Sequence, residues 1–101
     1  MFDRKYGRYM TKSIDETVHA EIQMILWRLI EEQANEGMKL DYLQVFELTV
    51  ADDRQRIVHR QEEPDRKREW LYTLQYTTPI DQTIWCIDSE SYQMMLLPSD
   101  Y

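Results

Sequence analysis

Nucleophilic catalysis needs a nucleophile, a base and an oxyanion site in mutual reach. The chain offers a single thiol, Cys86, and two imidazoles, His19 and His59. Cys86 stands between Trp85 and Ile87 in a run with strand character, the setting of a small buried hydrophobe whose thiolate is disfavoured. His59 falls in another such run, so the two could share a sheet without any spacing that marks a catalytic pair. There is no paired-cysteine motif, and the histidines are 40 positions apart, so no zinc site is spelled out. Asp52-Asp53 and Asp88-x-Glu90 hold carboxylates suited to Mg²⁺ or Ca²⁺, yet acids are also what turns select. With Gly7 and Gly37 the only glycines, a Gly-rich phosphate cradle is excluded. Pro64 to Lys67 reads P-D-R-K, a fragment of a nuclease carboxylate–lysine pattern without its second acid and lysine. No catalytic residue, cofactor or metal is expected.

Charge offers surface chemistry instead. Cations number four against one acid in residues 1–12, two against ten in 13–53, six against three in 54–68 and none against five in 69–101. The net charge of −7 disfavours general nucleic-acid binding through phosphate counterion release. Glu31, Glu32, Glu36, Asp41, Asp52 and Asp53 would form a spaced carboxylate field if the fold gathered them, able to imitate phosphates to a basic protein surface. Without a partner the same acids simply keep a small protein soluble. Arg54, Arg56, Arg60, Arg66, Lys67 and Arg68 suggest an opposing basic ridge, with Arg66, Lys67 and Arg68 placed for contact with RNA or an acidic partner. Their plainer role is to discourage edge-to-edge aggregation.

These groups must be positioned by a helix and a set of strands. Val18, Ile22, Ile25, Leu26, Leu29 and Ile30 lie on one helical face. Ser13 to Glu16 fits a capping box and Gly37 a left-handed stop, so the spacing predicts one helix from about Ile14 or Thr17 to Glu36. Met24 and Trp27 fall off the main stripe, to be covered by a wrapping sheet or by a partner. Phe46, Leu48 and Val50 alternate with polar residues, Ala51 to Gln55 is a short charged connection, and Arg56 to Arg60 resumes the extended pattern as a hairpin. Glu62 to Arg68 reads as a polar loop with Pro64 stopping strand pairing. Further strands are predicted at 69–76, 82–88 and 92–97, with Tyr9-Met10-Thr11 as an edge strand.

The fold class expected is α+β: an antiparallel sheet of about five strands with one long N-terminal helix packed on one face. A length of 101 residues suits one domain, residues 1–101, and a 43% hydrophobic share with seven Tyr and three Trp is enough for a packed core. No apolar run is long enough to span a bilayer, MFDRKYGRYM lacks a secretory core, and the lone cysteine fits a reducing compartment, so a cytoplasmic protein is expected.

RYMT at 8–11, LWRLI at 26–30, DYLQVFELTV at 41–50, IVHRQEEP at 57–64, IWCID at 84–88 and MLLPSDY at 95–101 carry a likeness over nearly the whole chain. In these segments the protein resembles the domain of unknown function 960 family, small proteins of Gram-positive bacteria, their phages and mobile elements. The resemblance implies one compact cytoplasmic domain and transfers no catalytic residue. Small acidic proteins of mobile elements include inhibitors of host defence, among them anti-CRISPR proteins acting on RNA-guided nucleases, and the chain is similar to that genre in size and charge.

The resulting expectation is a non-enzymatic acidic binding protein that docks on a basic, nucleic-acid-handling partner such as a type II CRISPR nuclease and blocks guide or target binding. Trp27 or Tyr42 would be the apolar anchor, beside Glu31, Glu32, Glu36, Asp41, Asp52 and Asp53. The alternative is a small protein-interaction module or a homodimer formed through exposed aromatics.

Overall fold

A computed structural model describes residues 1–3 and 7–101; the cations Arg4 and Lys5 of the basic N-terminal run lie outside the described residues. The elements are β1 (Gly7–Met10), α1 (Lys12–Thr17), α2 (Ala20–Asn35), β2 (Leu43–Ala51), β3 (Arg54–Gln61), β4 (Arg66–Tyr72), β5 (Gln82–Asp88) and β6 (Tyr92–Leu96), followed by a 3-10 turn at Pro98–Asp100. The strands form one sheet in the order β1-β6-β5-β2-β3-β4. Every neighbouring pair is antiparallel except β1 and β6, which run parallel with Tyr9 opposite Met94.

The expected fold is therefore corrected in two respects. Among the described residues the sheet has six strands and is mixed, not five and antiparallel, and the long helix is two helices. The helical stripe runs without interruption through Ile14, Val18 and Ile22, which hides the break. Val18 is extended at φ −120°, and the His19 side chain caps α2 by accepting from the Glu21 N–H at 3.0 Å. Val18 remains buried, so the core is filled on both sides of the bend. The predicted capping box at Ser13 and Glu16 is not formed. Thr11 accepts from the Ile14 N–H at 3.3 Å, while Ser13 donates to Asp100 at 2.8 Å. The stop at Gly37 is as expected, with φ +82° and the Met38 N–H bonded to the Gln33 carbonyl at 3.1 Å.

The β2–β3 hairpin closes through Asp52-Asp53, so the strands extend further toward the turn than the alternation suggested. Strand β4 begins at Arg66, not Glu69, and ends at Tyr72. Arg66, Lys67 and Arg68 pair with Gln61, Arg60 and His59 instead of lying in a loop. Polar composition misleads there, because an edge strand tolerates alternating charges that a central strand does not.

Pleating divides the sheet into two unlike faces. Phe46, Leu48, Ile57, Ile84, Cys86 and Met95 point to one side and pack with Ile14, Val18, Ile22, Ile25, Leu26, Leu29 and Ile30. At about 1.5–3 kcal/mol for each large apolar side chain fully removed from water, this layer dominates the fold. The other face carries Val45, Glu47, Val58, Trp85, Ile87 and Met94, none of which joins the helix-bearing core. Among the described residues no helix is long and apolar enough to cross a membrane.

Candidate interaction surface

Of the groups with nucleophile or base chemistry singled out above, Cys86 and His59 are absorbed by the core, whereas His19 is exposed and caps α2. Cys86 is fully buried, and burial pushes its thiol well above the ordinary range against a weak opposing effect of Arg8. His59 lies on the same face of the sheet, two strands away from Cys86, with its ring stacked on Phe46 at 4.4 Å. A directional chain of hydrogen bonds accounts for its ring nitrogens. Gln33 Nε2 contacts Nδ1 at 2.7 Å and also donates to the Leu29 carbonyl at 3.1 Å. That leaves Nδ1 as acceptor and Nε2–H as donor, toward Gln44 Oε1 at 2.5 Å. Gln44 in turn donates to Gln61 Oε1 at 2.9 Å and to the Asp41 carbonyl at 2.8 Å. Gln61 donates to the Lys39 and Pro64 carbonyls at 3.1 and 2.9 Å. Desolvation, with smaller effects of Arg66 and Arg68, lowers the His59 pKa to about 4, so the imidazole is neutral. Charge and motif reading missed this network. Its trace in the sequence is glutamine at strand positions in phase with core residues, Gln44 with Phe46 and Leu48, and Gln55 and Gln61 with Ile57.

The acidic residues do not converge into one field. Glu31 pairs with Arg8 of β1 at 2.5 Å, and the same guanidinium lies 4.7 Å above the ring of Trp27. Trp27 is thus half-buried beneath an arginine and not displayed as an anchor. Glu36 pairs with Arg68 of β4 at 3.3 Å, and Arg68 stacks over Trp70 at 5.4 Å. The two edge arginines clamp α2 from opposite sides of the sheet. Glu32 is exposed and, after burial, is the next cause of a raised Tyr72 pKa. Asp41 accepts from the Tyr42 and Glu63 N–H groups at 2.8 and 3.3 Å, and Tyr42 is half-exposed beside it. Asp52 and Asp53 occupy the opposite end of β2, roughly 30 Å from Asp41 at about 3.3 Å per residue. Among the described residues no group of three or more His, Cys, Asp or Glu could hold a metal ion.

The proposed basic ridge is divided by the pleat. Arg54, Arg56, Arg60 and Lys67 share the helix-free face, whereas Arg66 and Arg68 point to the helix side. On the helix-free face Arg56 bonds Glu69 through two nitrogens at 2.8–3.2 Å, and Arg60 meets Glu47 at 3.2 Å. Val58, at the centre of this ladder, is buried by its charged neighbours. The β1–β6–β5 half is apolar and aromatic, with Tyr9 edge-on to Tyr92 at 6.1 Å and Trp85 edge-on to Tyr101 at 5.8 Å. An open groove of about 700 Å³ crosses the face between the ladder and the C-terminal turn, lined by Glu47, Thr49, Arg56, Val58, Thr83 and Ser99.

A family model described as "Staphylococcal protein of unknown function" (DUF960) matches residues 7–100. No curated protein matches the chain. A crystal structure of a protein of unknown function from Enterococcus faecalis superposes with a TM-score of 0.88 at 19% identity, over 99% of this chain and 94% of that one. That likeness establishes the shared fold. With the family model spanning all but the first six residues and the last, the chain belongs to the DUF960 family.

Proposed function

We propose that the protein is a non-enzymatic protein-interaction module whose working surface is the helix-free face of its sheet. The observation that carries this reading is the composition of that face: Val45, Trp85, Ile87 and Met94 lie partly exposed on it, rimmed by Tyr9 and Tyr92 and by an ion-pair ladder. An apolar strip with a polar margin is the anatomy of a recognition surface. Burial of Cys86 and full hydrogen bonding of His59 support a non-catalytic role, because neither group is free to exchange a proton with a bound substrate. The test is affinity capture from host lysate with the wild-type chain and with Tyr9→Glu and Met94→Glu variants. Loss of the same captured protein by both variants is expected; equal capture by all three would overturn the reading.

A narrower second reading keeps a basic nucleic-acid-handling partner, with a type II CRISPR nuclease as the candidate. It is favoured by the net charge of −7 and by the gathering of Glu62, Glu63 and Asp65 at the β3–β4 turn, which Asp41 joins through the Glu63 N–H. DNA cleavage by such a nuclease with and without the protein tests it. Salt-sensitive inhibition is expected, and undiminished cleavage at saturating protein would remove it.

A further inference from the structure

We infer that β4 is a pairing edge of the sheet, and that its occupant is β4 of a second copy, the two strands joining antiparallel about a two-fold axis at Arg68. One continuous sheet then runs through both molecules. The helix-free face of each copy stays open, so the contact is separate from the function proposed above.

Strand parity identifies the free main-chain groups. The Asp88 N–H donates to the Tyr42 carbonyl at 2.9 Å and the Val50 N–H to Asp81 at 3.2 Å, so even-numbered residues of β2 turn their main-chain groups toward β5 and odd-numbered ones toward β3. Antiparallel neighbours alternate between bonded and non-bonded pairs. Carried across the sheet, this parity bonds the odd-numbered residues of β3 to Arg66, Arg68, Trp70 and Tyr72 of β4. The N–H and C=O groups of Lys67, Glu69 and Leu71 therefore point away from the sheet. Among the described residues no hydrogen bond reaches them, and β4 pairs with β3 in an unbroken register from Arg66 to Tyr72. An unbulged edge with a free main-chain row is a template for another strand.

Side chains name the occupant. In the register that sets Arg68 against its own copy, Lys67 of each chain lies opposite Glu69 of the other, and both are pairs that exchange two main-chain bonds. Lys67 is exposed and forms no hydrogen bond or ion pair among the described residues. Glu69 is held by Arg56 through both carboxylate oxygens and keeps lone pairs for a second cation. On the helix side Arg66, also without an ion pair, comes beside Trp70 of the other copy, and an aromatic ring attracts a guanidinium. The two Arg68 side chains meet at the axis, each balanced by Glu36 of its own chain at 3.3 Å. The acids of the β3–β4 turn, Glu62, Glu63 and Asp65, fall opposite Leu74, Thr73 and Leu71, which carry no charge. Lysine and glutamate two positions apart thus make the edge self-complementary, as an isologous contact requires. An edge built to repel would carry like charges along that row.

Sedimentation equilibrium of the full chain over a range of micromolar concentrations at physiological salt is the test, with far-UV circular dichroism to confirm that each variant folds. A dimer is expected for the wild type. Lys67→Glu sets glutamate against glutamate and Glu69→Lys sets lysine against lysine, and each is expected to weaken the dimer at least tenfold. An equimolar mixture of the two variants restores both opposite-charge pairs, so the mixture is expected to associate as the wild type does. A monomeric wild type overturns the inference, as does a dimer that both folded variants leave intact or a mixture that stays monomeric. Capture of a host protein, lost by Tyr9→Glu and Met94→Glu, reads the helix-free face alone, so either proposal can fail without the other.

Discussion

His59 and Gln44, on adjacent strands of the core face, share a hydrogen bond of 2.5 Å that fixes the imidazole as an Nε2–H donor. The pair lies at the middle of a chain from Gln33 on α2 to Gln61 on β3, so one tautomer ties the helix to two strands. Protonation at Nδ1 would set an N–H against the Gln33 amide nitrogen that now donates to it.

Stability should therefore fall in mildly acidic solution. The folded-state pKa of about 4 lies below the ordinary value of 6.5, so the unfolded chain binds the proton more readily. The contribution is complete above about pH 6.5, declines between 6.5 and 4, and changes no further below that. A shift of this size corresponds to about 3 kcal/mol. Urea denaturation at pH 7.5 and pH 4.5 measures it, and His59→Gln should flatten the dependence in this window. An equal slope in the variant would assign the proton elsewhere.

Gln44→Leu should destabilise more than its apolar character suggests. The substitution leaves the His59 Nε2–H without an acceptor and removes two donors, to Gln61 and to the Asp41 carbonyl. A cost of about 2–4 kcal/mol is expected, or roughly 10–20 °C in Tm. The double variant Gln44→Leu with His59→Phe should lose less than the sum of the two single variants, since it removes both ends of one bond. Additive losses by calorimetry would contradict the coupling.

Arg8 should resist conservative replacement. Its guanidinium serves Glu31, Gln93 and the Trp27 ring together, with the bond to Gln93 at 2.9 Å. Lysine keeps the charge but not the planar fork. Arg8→Lys should therefore retain most of the Arg8→Ala loss, about 1–3 kcal/mol by chemical denaturation. Full recovery by lysine would reduce the site to a simple charge pair.

Cys86 should be silent in the native state. Burial both blocks access and disfavours the thiolate. An aromatic disulfide reagent at pH 8 should react at the rate of unfolding, and rapidly once denaturant is added. Rapid native labelling would reveal an opening that the packed core does not contain.

Local chemistry was legible in the sequence. Phe46 and Leu48 alternate with polar neighbours, and Trp85 with Ile84 and Cys86, so the positions of β2, β3 and β5 and the stop at Gly37 could be read from residues a few positions apart. A strand's alternation is a property of its own side chains. The bend at Val18-His19 was invisible, because the apolar stripe crosses it intact while a side-chain cap replaces a backbone bond. The start of β4 was also hidden, because Arg66, Lys67 and Arg68 look like loop residues until β3 pairs with them.

The sequence by itself determined that a helical apolar stripe would cover a sheet and that Cys86 would be buried. Tertiary structure alone decided which charges meet. Glu31 and Glu36 look like members of one acidic field in the chain, yet Arg8 and Arg68 reach them from opposite edges of the sheet, 23 and 32 residues away. It also decided that Gln33, Gln44 and Gln61 would enclose His59, and that one face of the sheet would have no helix. Pairing across such separations depends on strand order and register, and no local pattern of side chains encodes either.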